Sequence, residues 1–170
     1  MSELTVGSLS GLPTNSFVID VASGSTLDLS NATDLPVSAL PAGSILQVVQ
    51  AIKTDSFTVS TTGVAAVTGL SATITPTSSS SRVLVIANVA YSRANGAEHG
   101  IFRLTGGNTS TYRGDSAGSR TPGNFGGGFS ANAQDDMALA TITYVDSPAT
   151  TSATTYGVEV RAQGTSWVNR

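Results

Sequence analysis

From residue 44 onward the hydrophobic positions of the chain recur mostly at a spacing of two, in short runs broken by Gly, Asn, Ser and Pro. That is the period of a strand with one buried face, because successive side chains of a strand point to opposite sides. Residues 45–50, 57–60, 65–75, 100–105, 137–145 and 155–162 are predicted strands, and Trp167-Val168 begins a last one. In the third of these Leu70, Ala72 and Ile74 share a face. In 155–162 the inward set is Tyr156, Val158, Val160 and Ala162, with Gly157, Glu159 and Arg161 outward. Residues 82–91 (Arg-Val-Leu-Val-Ile-Ala-Asn-Val-Ala-Tyr) are too uniformly apolar for a half-exposed strand, and the expectation is a central strand covered on both faces. No window carries a sustained helical period with caps. Seven or eight short strands joined by turn residues predict an all-β chain, an antiparallel β-sandwich or jelly roll.

Residues 1–42 read differently. Phe17-Val18-Ile19-Asp20-Val21 and Thr26-Leu27-Asp28-Leu29 flank the turn Ala22-Ser23-Gly24-Ser25, which predicts a short N-terminal β-hairpin or shaft segment. A lone hairpin is at best marginally stable in water, so it must pack on something, and the same segment from sister chains is the simplest partner. Phe17, Ile19, Val21, Leu27 and Leu29 are therefore the candidate docking residues. Pro41-Ala42-Gly43 marks the junction, giving a segment 1–42 and a β-sandwich head domain 43–170.

Between Thr105 and Asp135 the rhythm fails. The stretch is dominated by Gly, Ser and Asn, and irregular loops of this length in compact domains are usually functional or mobile. It carries Tyr112, Phe125 and Phe129, aromatic side chains with no strand pattern to give them a core. They are the candidate recognition residues, since aromatic groups in adaptable polar loops offer contact area at low entropic cost. Trp167, Tyr91 and Tyr144 lie on strand patterns and are expected in the core.

Composition narrows the chemistry. Charged residues are 11% of the 170 residues and the formal net charge is −3. Lys53 is the sole lysine and no basic cluster exists, which argues against nucleic acid. Apolar residues reach 39%, which argues against a disordered chain. With no cysteine, disulfides and thiolate metal sites are excluded. No run approaches the ~20 apolar residues of a membrane helix, and residues 1–12 show no signal-peptide pattern. His99 is the only histidine, and a catalytic triad or a metal site on a symmetry axis could be built around it alone; a surface turn is the simpler reading. Asp135 and Asp136 are adjacent and would face opposite ways, while Asp115 and Asp146 fall in turns, so no glycosidase-like carboxylate pair is formed. Gly106-Gly107 and Gly126-Gly127-Gly128 lack the Lys-Ser/Thr ending of a phosphate loop. The chain is expected to be no enzyme and to hold no cofactor or metal.

One string goes further. Tyr144-Val-Asp146-Ser-Pro148, a Thr-rich turn, then Thr155-Tyr156-Gly-Val-Glu-Val-Arg161 resembles a domain recurring in tail-fibre and virion proteins of marine and cyanobacterial tailed phages. Gly43-Ser-Ile45-Leu-Gln47, Thr73-Ile-Thr-Pro76 through Arg82-Val-Leu-Val, and Gly100-Ile-Phe-Arg-Leu are similar to the same domain, so the likeness spans roughly residues 43–170. Residues 19–27 are similar to small shaft elements that precede it. The resemblance implies a homotrimeric virion protein on the tail or head exterior, made in the host cytoplasm. Its N-terminus would dock to other virion proteins. As a tail fibre or spike, it would attach to a host cell-surface glycan or protein, with Tyr112, Phe125 and Phe129 as receptor-binding candidates. The alternative is a capsid decoration or head fibre protein that binds the head shell without a receptor. A bacterial lectin-like module fits the composition but not the resemblance. Two departures stand out: residues 106–135 are longer and richer in Gly than the family suggests, and family members continue past the Trp-Val-Asn-Arg position with a closing strand. That strand would come from a longer chain or from a neighbour.

Overall fold

The computed structural model describes residues 23, 40–41, 43–60, 63–94, 100–119, 122–127, 137–162 and 164–169. The chain divides into two units, Met1–Ser44 and Ile45–Arg170. In the first, Ser44 closes a turn by donating its N–H (3.1 Å) and Oγ (2.7 Å) to the carbonyl of Pro41. The predicted hairpin, with Phe17, Ile19, Val21, Leu27 and Leu29, lies outside the described residues.

The second unit is an antiparallel β-sandwich. Its strands are β1 (Phe57–Val59), β2 (Gly63–Ile74), β3 (Val83–Arg93), β4 (Gly100–Thr105), β5 (Phe125–Gly127), β6 (Ala138–Asp146), β7 (Thr154–Ala162) and β8 (Ser166–Val168). One sheet has the order β1-β8-β3-β6 and the other β2-β7-β4-β5. Every connection except β4–β5 passes from one sheet to the other. The period of two read from the sequence sets which side chains meet between the sheets: Val59, Val67, Val89, Tyr91, Phe102, Leu104, Ala140, Ile142, Val158, Val160 and Val168 form the core. Tyr91 and Phe102 meet edge-to-face with centroids 4.9 Å apart. Each such side chain contributes about 1.5–3 kcal/mol by leaving water. A bulge interrupts the β2–β7 register between Ala66 and Ser71.

Four sequence expectations change. Residues 45–50 form no strand: they have no ladder partner among the described residues. The run 82–91 is a central strand, β3, but only one of its faces is covered within the described chain; Leu84 and Ile86 are 57% and 60% exposed. Apolar uniformity reports what a strand prefers to touch, and the outward layer that β3 prefers is not supplied by this chain's own sheets. Trp167 is half-buried on the opposite side of β8 from the buried Ser166 and Val168, so it stands outside the core. Finally, the Gly-rich stretch contains a strand, β5, and a 3-10 turn, Thr109–Tyr112. Gly126 can pair there because its backbone lies against the carbonyl of Gly100, where a Cβ would collide.

Candidate functional site

The sequence places recognition in residues 106–135, and the geometry of their described part begins at Asp146. This residue ends β6 with its carboxyl group fully buried. It accepts a 2.6 Å bond from the hydroxyl of Tyr156 and two 3.2 Å contacts from the N–H of Asn108. The Asn108 side chain donates to the carbonyl of Ser147 at 2.6 Å. For the chain to reach this position it must turn through Gly106 and Gly107, both at positive φ (93° and 50°), and a Cβ on Gly107 would strike the Asp146 carboxyl. Only glycine meets both demands without strain. The Tyr156 phenol is pushed above its ordinary value of 10.0, first by burial and then by its bond to Asp146 and the charge there. The pair is a lock between β6, β7 and the loop, and its sealed carboxyl group offers no opening to a substrate.

The rest of the loop is tied by the same kind of bond. Thr109 is buried and donates its hydroxyl to the carbonyl of Gly106 (2.7 Å). The Asn124 side chain accepts from the N–H of Leu104 (2.9 Å), while its own backbone N–H donates to the carbonyl of Phe102 (3.0 Å). Arg103 donates through Nε to the carbonyl of Pro122 (2.7 Å).

The recognition candidates separate on this frame. Tyr112 ends the 3-10 turn, is 50% exposed, and stacks on Tyr144 with centroids 4.5 Å apart and planes at 22°. One face of its ring is backed by Tyr144, and half of the residue's surface stays exposed. Phe125 is corrected: it sits in β5 opposite Phe102, stacked on that core ring at 5.3 Å, and packs against the core. The missing strand pattern that made it a candidate reflects only the shortness of β5. Phe129 and His99 lie outside the described residues. Asp146, read in sequence as a turn residue, is the feature most easily missed; its pairing with Tyr156 across the Thr-rich turn was legible only as a recurring motif.

A second region is distinguished by apolar exposure. On the outward face of β3 and β6, Leu84 stands opposite Val145 and Ala90 opposite Leu139, with Ile86 between them. Leu84, Ile86 and Leu139 are 57–67% exposed. Nearby in sequence to β1, Ile45, Val48 and Ile52 are 70–82% exposed. Clustered apolar exposure of this kind marks a surface that expects a partner.

Among the described residues no group of three or more His, Asp or Glu could hold a metal ion, and no helix is long and apolar enough to cross a membrane. No family model, curated protein or solved structure matches the chain.

Proposed function

We propose that this protein is a non-enzymatic virion structural subunit of a tailed phage, a homotrimeric tail fibre or spike that takes part in host attachment. The observation that carries the assembly part of this reading is the apolar ladder on the outward face of β3 and β6, which one chain leaves in water at a cost that association removes. The phage part rests on the sequence resemblance, whose best string holds the Asp146–Tyr156 lock. We further read the sandwich as a jelly roll. The orders β1-β8-β3-β6 and β2-β7-β4-β5, with strands shuttling between sheets, support it. The segment 1–42 docks to other virion proteins, and the Tyr112–Tyr144 platform faces the host receptor.

The test has two parts. Light scattering on the purified chain is expected to give a three-chain mass, and a single-chain mass at micromolar concentration would overturn the assembly reading. Gold-labelled antibody on intact particles is expected on the tail, and Tyr112→Ala is expected to lower adsorption with the fold intact. Label confined to the head, with adsorption unchanged, would select the decoration reading instead.

A further inference from the structure

Asn108 occupies the N-cap of the Thr109–Tyr112 turn, yet its side chain makes no capping bond. At that position an asparagine ordinarily turns its side-chain oxygen back onto the first N–H groups of its own turn. Here the side chain goes elsewhere. Its amide donates to the carbonyl of Ser147 (2.6 Å), next to the Asp146 carboxylate that receives the Asn108 backbone N–H. Both kinds of donor on Asn108 thus reach the end of β6. Its carbonyl extends the line into the turn, accepting from the N–H of Thr111 (3.0 Å) and from the Thr111 hydroxyl (2.7 Å). Tyr112 is the next residue. Its ring stacks on Tyr144, which precedes Asp146 by two and so lies on the same face of β6. One strand therefore holds the turn twice, by polar bonds at Asp146 and Ser147 and by a ring at Tyr144.

A single 3-10 turn needs such holding. It closes few bonds, their geometry is poorer than in an α-helix, and a first turn costs more order than it returns. The bond that ends this one, from the N–H of Arg113 to the carbonyl of Ser110, is long at 3.4 Å. We propose that Asn108 is the positioning residue for Tyr112: it forgoes the cap in order to clamp the turn onto β6, and the clamp sets where the Tyr112 ring stands. The inference rests on the reading of Tyr112 as a receptor-facing residue and names what aims it. Asp146 then has two separable duties. Its bond from Tyr156 joins β6 to β7, whereas its bond from Asn108 carries the recognition turn.

Asn108→Ser separates a clamp from a cap. Serine caps as well as asparagine, but its shorter side chain cannot span to the Ser147 carbonyl. Asn108 is exposed, so the core is untouched and the melting temperature should stay close to the parent's. Ring-labelled tyrosine in the full chain gives signals from four residues by NMR. The Tyr112 signal, assigned by its loss in Tyr112→Ala, is expected to be displaced by the neighbouring ring, and Tyr144→Leu supplies its unstacked position. Asn108→Ser is expected to move the signal toward that unstacked position and to lower adsorption to host cells about as far as Tyr112→Ala does. An unmoved signal in Asn108→Ser would overturn the clamp, since serine would then have served as a cap. A moved signal with adsorption at the parent's level, where Tyr112→Ala lowers it, would overturn the positioning role. Normal adsorption by Tyr112→Ala itself would overturn the receptor reading, and the tyrosine signals would still decide the clamp.

Discussion

Residues 106–119 and 122–124 are made largely of Gly, Ser, Thr and Asn, with few side chains suited to a core. Nevertheless they are held by side-chain bonds to backbone at Gly106, Leu104 and Pro122, and by the buried carboxyl group of Asp146. Residues 45–52 are the reverse. Ile-Leu-Gln-Val-Val-Gln-Ala-Ile is apolar and alternating, but no backbone bond ties it to another described residue; the side chain of Gln47 accepts from the N–H of Thr75 at 3.3 Å. The contrast separates two requirements that usually coincide. Order needs partners for the backbone; apolar side chains only say where partners would be welcome. Among the described residues the loop has its partners, and the apolar segment does not.

Breaking the lock should have the largest effect. Asp146→Ala leaves the buried Tyr156 hydroxyl without its acceptor and removes the part-buried bond from the Asn108 N–H, which together cost about 2–4 kcal/mol. Urea unfolding should show it as a lower midpoint, and an unchanged midpoint would mean that the loop does not depend on Asp146. Phe125→Ala comes next. Its ring stacks on Phe102 at the margin of the core, so about 2–3 kcal/mol is expected, less than full burial would give. A melting temperature that does not move would return Phe125 to the free loop surface.

The third prediction uses pH. The folded-state pKa of Tyr156 lies above the ordinary value of 10.0, so the unfolded chain loses the phenolic proton first as pH rises. The contribution is whole below pH 10 and lost above it, at no more than about 1.4 kcal/mol per pH unit. Tyr156→Phe should flatten this alkaline decline in a stability-against-pH series; an equally steep decline in the variant would assign it to other groups. The smallest effect tests the opposite region. Val48→Ser should change unfolding stability by less than about 0.5 kcal/mol, because the side chain is already in water. A larger loss would show residues 45–52 to be packed in solution.

Strand period carried most of the fold. Leu70, Ala72, Ile74, Tyr156, Val158 and Val160 face inward as their alternation requires, since a sheet with one covered face admits no other register. What alternation cannot report is where a neighbour is. Among the described residues, 45–50 have a strand's pattern and no adjacent strand, and the outward side of β3 has an apolar pattern and no layer. The candidate site was less legible. Tyr112 is exposed, as its polar setting suggested, whereas Phe125 packs on the core, which could not be read because three residues of β5, two of them glycine, show no period. Asp146 looked like one turn acid among several, because the hydroxyl that makes it a lock lies ten residues on, across the turn into β7.

The uncovered face of β3 and β6 also has a thermal consequence. Removing Leu84, Ile86, Leu139 and Val145 from water lowers the heat capacity, whatever lies on top of them. The enthalpy of that contact therefore becomes more favourable with warming, while its driving force fades as the solution is cooled. An assembly joined through this face would be tightest warm and would loosen in the cold, so samples kept on ice would contain more free subunits than the same samples at growth temperature.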